Sequence, residues 1–120
     1  MDPGKLLTEC GESFLELAAR IHKYQDAVGE LVRDPNVTEE RIKKKEVKMD
    51  AAWKRADASE KAMRTFLASE FRKDYENAPD DKKAAMAAWK KQIEKLLFEM
   101  RQKMAVRSYI LPADVLFEEQ

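Results

Sequence analysis

The sequence predicts an all-α fold, specifically an antiparallel, coiled-coil-like three-helix bundle with a long central helix and a short C-terminal docking segment. Apolar residues recur at alternating spacings of three and four between Leu7 and Leu31, which places one narrow seam along a helix. Charged residues make up 38% of the chain, with only three glycines and four prolines, whereas a β sandwich needs frequent turns. Because a helical seam is stable only when another helix covers it, we expect a bundle.

The first helix is expected at about residues 3–33. Asp2 and Pro3 have the residue types of an N-cap followed by a proline in the first helical turn. Pro35 ends the pattern, since the residue before a proline is driven out of the α region.

The second and third helices are expected at about 38–76 and 79–108. Thr38 is a good N-cap, and no glycine or proline follows it until Pro79. Pro79 suits the first turn of a new helix, and Pro112 ends that helix or forces it to end earlier. The second helix is then long enough to indicate coiled-coil-like packing.

Short connections at Pro35 and Pro79 make consecutive helices antiparallel neighbours. The first fold brings together seam residues of helices one and two: Tyr24 with Met49, Ile21 with Trp53, Leu17 with Ala56, and Cys10 with Met63. The second fold places Met86 and Trp89 beside Phe71. In this arrangement one end of the bundle extends past the first helix. That end carries Phe71, Tyr75 and Met86, so surplus apolar surface is expected there.

The chain divides into a bundle at 1–108 and an apolar tail at 109–120. An apolar terminus is seldom left in water, so the tail is expected to dock either on its own bundle or on a partner. Together with the overhanging end, it supplies the candidate partner-binding residues. These are Phe71, Tyr75, Met86, Tyr109, Ile110, Leu111, Val115, Leu116 and Phe117.

The residues that usually carry chemistry are sparse. Cys10 and His22 lie about 18 Å apart along one helix, too far for a nucleophile and its base. A metal would need three or four converging ligands, which one histidine and one cysteine do not supply. No glycine-rich phosphate loop occurs. We therefore expect no catalytic residues, no cofactor, no metal and no enzyme activity.

The strongest charge feature is a basic run at the start of helix two. The formal net charge of the chain is zero, so any attraction to nucleic acid or an anionic membrane has to be local. The run contains seven basic residues and two acidic ones, Glu46 and Asp50. An alternative interpretation of its lysines is a helix face that contacts only solvent. Its candidate anion-binding residues are Arg41, Lys43, Lys44, Lys45, Lys48, Lys54 and Arg55.

The pattern favours a non-catalytic protein–protein interaction module, a small helical adaptor or a subunit of a larger assembly. Such a module could also be a homodimer that buries the overhanging ends of two bundles. The alternative function is a protein that binds nucleic acid or an anionic surface through the Arg41 to Arg55 run. A single cysteine and the lack of an apolar run long enough to span a membrane favour an intracellular location, cytoplasmic or nuclear.

Overall fold

The computed structural model describes residues 2–118, and every regular element in that range is helical. The elements are α1 (Pro3–Arg33), α2 (Glu39–Ala68), α3 (Glu70–Asn77), α4 (Asp80–Ala105), a 3-10 helix (Val106–Tyr109) and α5 (Ala113–Leu116). The all-α fold class is confirmed, and the bounds of α1 coincide with the expected range.

Local capping interactions set the ends of α1. The Asp2 carboxylate accepts a hydrogen bond from the Gly4 amide at 2.9 Å, and Pro3 occupies the first turn. At the other end, the amide of Asn36 donates to the Asp34 side chain at 2.9 Å, which forms a tight turn before α2. The chain therefore reverses at Pro35, as the sequence indicates.

The long second helix expected at 38–76 is interrupted at Ser69. The Ser69 backbone leaves the helical region, and its hydroxyl donates to the carbonyl of Thr65 at 2.7 Å. A serine that bonds back to the preceding turn competes with helical geometry and bends helices. The interruption separates α2 from α3 without a glycine or proline, which explains why the sequence pattern does not mark it.

The end of the third expected helix also differs from 79–108. The α4 helix stops at Ala105 and continues as one 3-10 turn to Tyr109. Pro79 precedes it, and the Pro79 carbonyl accepts from the amides of Lys82 and Lys83 at 3.0 Å each. The tighter turn redirects the chain toward the α1–α2 pair.

Three buried clusters run along the bundle. The first, at the α3 end, joins Cys10, Met63, Phe66, Leu67, Phe71, Ile93, Leu97 and Met100. The middle one joins Leu17, Ala52, Ala56 and Met104. The third, at the opposite end, joins Tyr24, Ala27, Ile42, Met49, Ile110 and Ala113. These clusters contain the pairings that the antiparallel reversals at Pro35 and Pro79 require.

The bundle is a rod measuring 65 × 22 × 19 Å. Its Cα radius of gyration is 19.2 Å, against about 13.6 Å for a compact globule of this length. A rod of this shape exposes long grooves between neighbouring helices. Within residues 2–118, no helix combines the length and apolar character needed to cross a bilayer.

Candidate protein-binding surfaces

Four aromatic rings pack together at the α3 end of the rod. Phe71 lies 5.4 Å from Trp89 and 6.3 Å from Tyr75 between ring centroids, and Phe66 meets Trp89 edge to face at 6.5 Å. The Lys83 ammonium lies 5.6 Å from the centroid of the Tyr75 ring. Phe71 is therefore a core residue, whereas Tyr75 and Trp89 are half-buried.

An open groove lies beside this cluster, between α2 and α3 on one side and α4 on the other. We call it the α2/α3–α4 groove. One wall carries Arg64, Leu67, Ala68, Phe71, Arg72, Tyr75 and Glu76. The other wall carries Ala87, Lys90, Lys91, Glu94 and Phe98. Its wider part, at the α3 end, has a volume of about 620 Å³, and a continuing part of about 400 Å³ reaches Phe98.

One wall of the groove is a face shared by α2 and α3, on either side of the interruption at Ser69, and the other wall is a face of α4. Arg64 and Tyr75 are eleven residues apart, and so are Ala87 and Phe98. At 1.5 Å per residue each wall is about 17 Å long, or three helical turns. Small side chains at Ala68 and Ala87 leave space between the walls, and Phe98 is 60% exposed at one end.

Sequence reasoning missed Phe98, although a signal for it exists. The buried stripe of α4 passes through Ile93, Leu97, Met100 and Met104, and Phe98 falls outside it. A large aromatic residue off the buried face of an amphipathic helix indicates either a second contact or an exposed patch. Met86, which was expected to extend past α1, is half-buried against the first cluster instead.

A buried carboxylate lies near the Phe98 end of this groove. Glu60 is fully buried, and its Oε1 accepts from Arg64 Nε at 2.9 Å and from Arg101 Nη2 at 2.7 Å. The two arginines come from α2 and α4, and both are about half exposed. Glu60 Oε2 has no hydrogen-bond partner within the described chain. The Glu60 carboxylate thus links α2 to α4 through ion pairs and holds two guanidinium groups beside the groove.

The i, i+4 spacing of Glu60 and Arg64 in the sequence is typical of an ion pair on a solvated helix face. The ion pair exists, but the carboxylate lies in the core. The spacing of the sequence does indicate the buried position of Glu60. The apolar residues Ala56, Met63 and Leu67 lie on the seam of α2, and Glu60 falls between them at the same alternating spacing of four and three.

The tail docks on its own bundle. Tyr24 donates its hydroxyl to the Leu111 carbonyl at 2.6 Å, and the Ala113 amide donates to Glu46 Oε2 at 2.7 Å. Arg107 adds an ion pair to Asp50 at 3.1 Å. Burial, with Glu46 nearby, raises the pKa of Tyr24 to about 12. These contacts confirm the docking segment of the expected fold.

Docking divides the candidate residues of the tail into two faces. Ile110 is buried against α1 and α2, and Leu116 and Phe117 are half-buried beside it. Tyr109, Leu111 and Val115 stay exposed, with Tyr109 at 86%. The inner face is therefore occupied within the chain, and only the outer face is free to meet a partner.

The basic run of α2 is partly neutralised by carboxylates of α1 and of α2 itself. Arg55 contacts Glu9 at 2.9 Å and also pairs with Glu16, and its hydrogen bonds to these carboxylates raise its pKa. Arg41 pairs with Glu30 at 3.0 Å, and Lys43 pairs with Glu39 at 2.9 Å. Within residues 2–118, the members of the run without an ion pair are Lys44, Lys45, Lys48 and Lys54.

The two residues considered for nucleophilic chemistry lie apart. Cys10 is buried and donates its thiol to the Ser59 carbonyl at 3.3 Å, and burial raises the pKa of this thiol. His22 is exposed and lies 3.3 Å from Asp26. In the part of the chain that the structure describes, no cluster of three or more His, Cys, Asp or Glu residues could hold a metal ion.

Comparisons with known proteins found no matching family model, no similar curated protein and no similar solved structure.

Proposed function

We propose that this protein is a non-catalytic protein–protein interaction module, a small helical adaptor or assembly subunit that holds a helix of another protein in the α2/α3–α4 groove. The observation that carries the proposal is the groove itself, three turns long and open to solvent, with Phe98 exposed at its end. Grooves between helices bind amphipathic helices through apolar anchors spaced at three and four residues.

The two walls of the groove support this binding mode. Leu67 and Tyr75 lie eight residues apart on one wall, and Phe98 faces the same space from the other. A bound helix would convert a three-helix bundle into four helices, an arrangement in which every helix covers its apolar stripe.

The charged groups of the groove support binding rather than acid–base catalysis. Arg72 pairs with Glu76 at 3.2 Å and Lys90 pairs with Glu94 at 3.5 Å, all four on exposed helix faces. Exposed carboxylates that are paired with a cation lack the apolar enclosure that a general acid requires.

The proposal is tested by affinity purification from cells that express the tagged full chain, followed by mass spectrometry. A specific partner should be recovered with the wild-type protein and lost with Phe98→Ser. Val47→Ser is the matched control, because Val47 is 68% exposed on α2 outside the groove. A partner recovered equally with both variants would exclude the groove as its binding site.

The basic surface of α2 supports a second candidate function, the binding of nucleic acid or of an anionic surface. Lys44 and Lys48 flank exposed Val47 beside a shallow depression. Binding of this kind weakens steeply with added salt, because each phosphate contact releases counterions. Affinity for duplex DNA that falls with salt and is lost in a Lys44→Gln/Lys48→Gln variant would support it, and no binding at low salt would remove it.

A further inference from the structure

The α2/α3–α4 groove carries a local excess of positive charge in a chain whose formal net charge is zero. Four of its lining residues are basic and two are acidic. Both acidic residues are already paired, Glu76 with Arg72 and Glu94 with Lys90. Lys91 lines the groove without an ion pair among residues 2–118, so its charge is available to a partner.

The Phe98 end of the groove holds two guanidinium groups that Glu60 keeps in place, and one of them, Arg101, also lies 3.6 Å from Asp57 Oδ1. Arg64 lines the groove there, and Arg101 follows Phe98 by one helical turn. Both guanidinium groups donate to Glu60 Oε1, so they are held side by side. Each is about half exposed and retains further N–H donors. Guanidinium donors fixed in advance bind a carboxylate with little loss of side-chain entropy.

From these features, we propose that the occupant of the groove is an acidic amphipathic helix of another protein. Its apolar residues would contact Phe98, Leu67 and Tyr75, and its carboxylates would meet Lys91 and the Arg64–Arg101 pair. This inference rests on the proposed function and specifies the chemistry of the partner. A second copy of this chain docking groove to groove is disfavoured, because a symmetric contact would oppose two positively charged surfaces.

The test uses two synthetic helical peptides of about 18 residues, long enough to span the three-turn groove. Both carry leucines at three- and four-residue spacing, and their flanking positions hold either glutamate or lysine. Fluorescence anisotropy with the full chain should give an affinity for the glutamate peptide about tenfold or more above that for the lysine peptide. Lys91→Glu should reduce that ratio, and Phe98→Ser should weaken binding of the glutamate peptide.

The control variant is Lys23→Glu on α1, which makes the same charge change at an exposed position outside the groove and should leave both affinities unchanged. Thermal melting of each variant checks that the bundle is folded.

Equal binding of both peptides that is lost in Phe98→Ser would keep the groove as a binding site and overturn the inference that its partner is acidic. Peptide binding that is indifferent to Phe98→Ser would overturn both proposals, and so would the failure of both peptides to bind. A dimer in sedimentation experiments that Phe98→Ser dissociates would identify a second copy as the occupant and overturn the inference.

Discussion

The buried Glu60 gives the sharpest prediction about what stabilises the bundle. The two sides of its ion pair differ in burial: the carboxylate is fully buried, whereas Arg64 and Arg101 are about half exposed. Replacing both arginines with methionine would leave a charged group in the core without a partner, which costs about 3–5 kcal/mol in such cases. Replacing Glu60 with methionine would leave only solvated cations and an apolar side chain of similar volume. That change should stay within about 1 kcal/mol, or stabilise the protein.

The asymmetry is large enough to measure by thermal unfolding. With an unfolding entropy of about 2.1 cal/mol/K per residue, a 120-residue chain loses about 12 °C in Tm for every 3 kcal/mol. Circular dichroism should therefore show the Arg64→Met/Arg101→Met variant melting about 8 °C or more below Glu60→Met, because their stabilities differ by about 2 kcal/mol or more.

The matched control is the exposed pair of Lys90 and Glu94 on α4, with 3.5 Å between its charged atoms. Exposed pairs contribute about 0–1 kcal/mol, so Lys90→Met and Glu94→Met should change Tm by only a few degrees and about equally. If Glu60→Met were as destabilising as the double arginine variant, the reasoning from burial would be refuted.

Four further predictions follow from the fold. Gly11→Ala should stabilise the protein by about 0.5–1 kcal/mol in chemical denaturation, because a Cβ there meets open space within a helix; destabilisation would contradict this. Wild-type stability should fall between pH about 10 and about 12, since the folded pKa of Tyr24 exceeds its unfolded value of about 10. Tyr24→Phe should lack this fall, and an unchanged fall would assign it to another group. Cys10 should resist thiol reagents in the folded protein and react after urea unfolding, because the thiolate is the reactive form; rapid native labelling would show that the thiol is accessible. Deleting residues 109–120 should lower the free energy of unfolding by about 4 kcal/mol, through lost burial of Ile110 and the loss of two hydrogen bonds; unchanged stability would show that the tail is not part of the core.

Local signals made much of the bundle predictable. Asp2 and Pro3 begin α1, and Pro35 and Pro79 lie at the two reversals, because these residues act through their own backbone geometry. Once the reversals are known, seam spacing pairs Tyr24 with Met49, and the structure places both in one cluster.

The remaining features depend on contacts between distant parts of the chain. No local residue type marks the interruption at Ser69, because any helical serine can either bond back to its own helix or face solvent. The position of the tail depends on Tyr24 and Glu46, which are distant in sequence. The α2/α3–α4 groove likewise arises from the divergence of two helices around small residues, which no single stretch of sequence reveals.

The proposed role of this groove is tested most directly by photo-crosslinking from Phe98 in the full chain. A photoreactive phenylalanine at Phe98 should crosslink to one partner protein, and mass spectrometry should place the crosslink in a helix with an acidic, amphipathic sequence. The same group at Val47, on the basic surface of α2, should not give that crosslink. A crosslink to the same partner segment from Val47 and not from Phe98 would contradict the account.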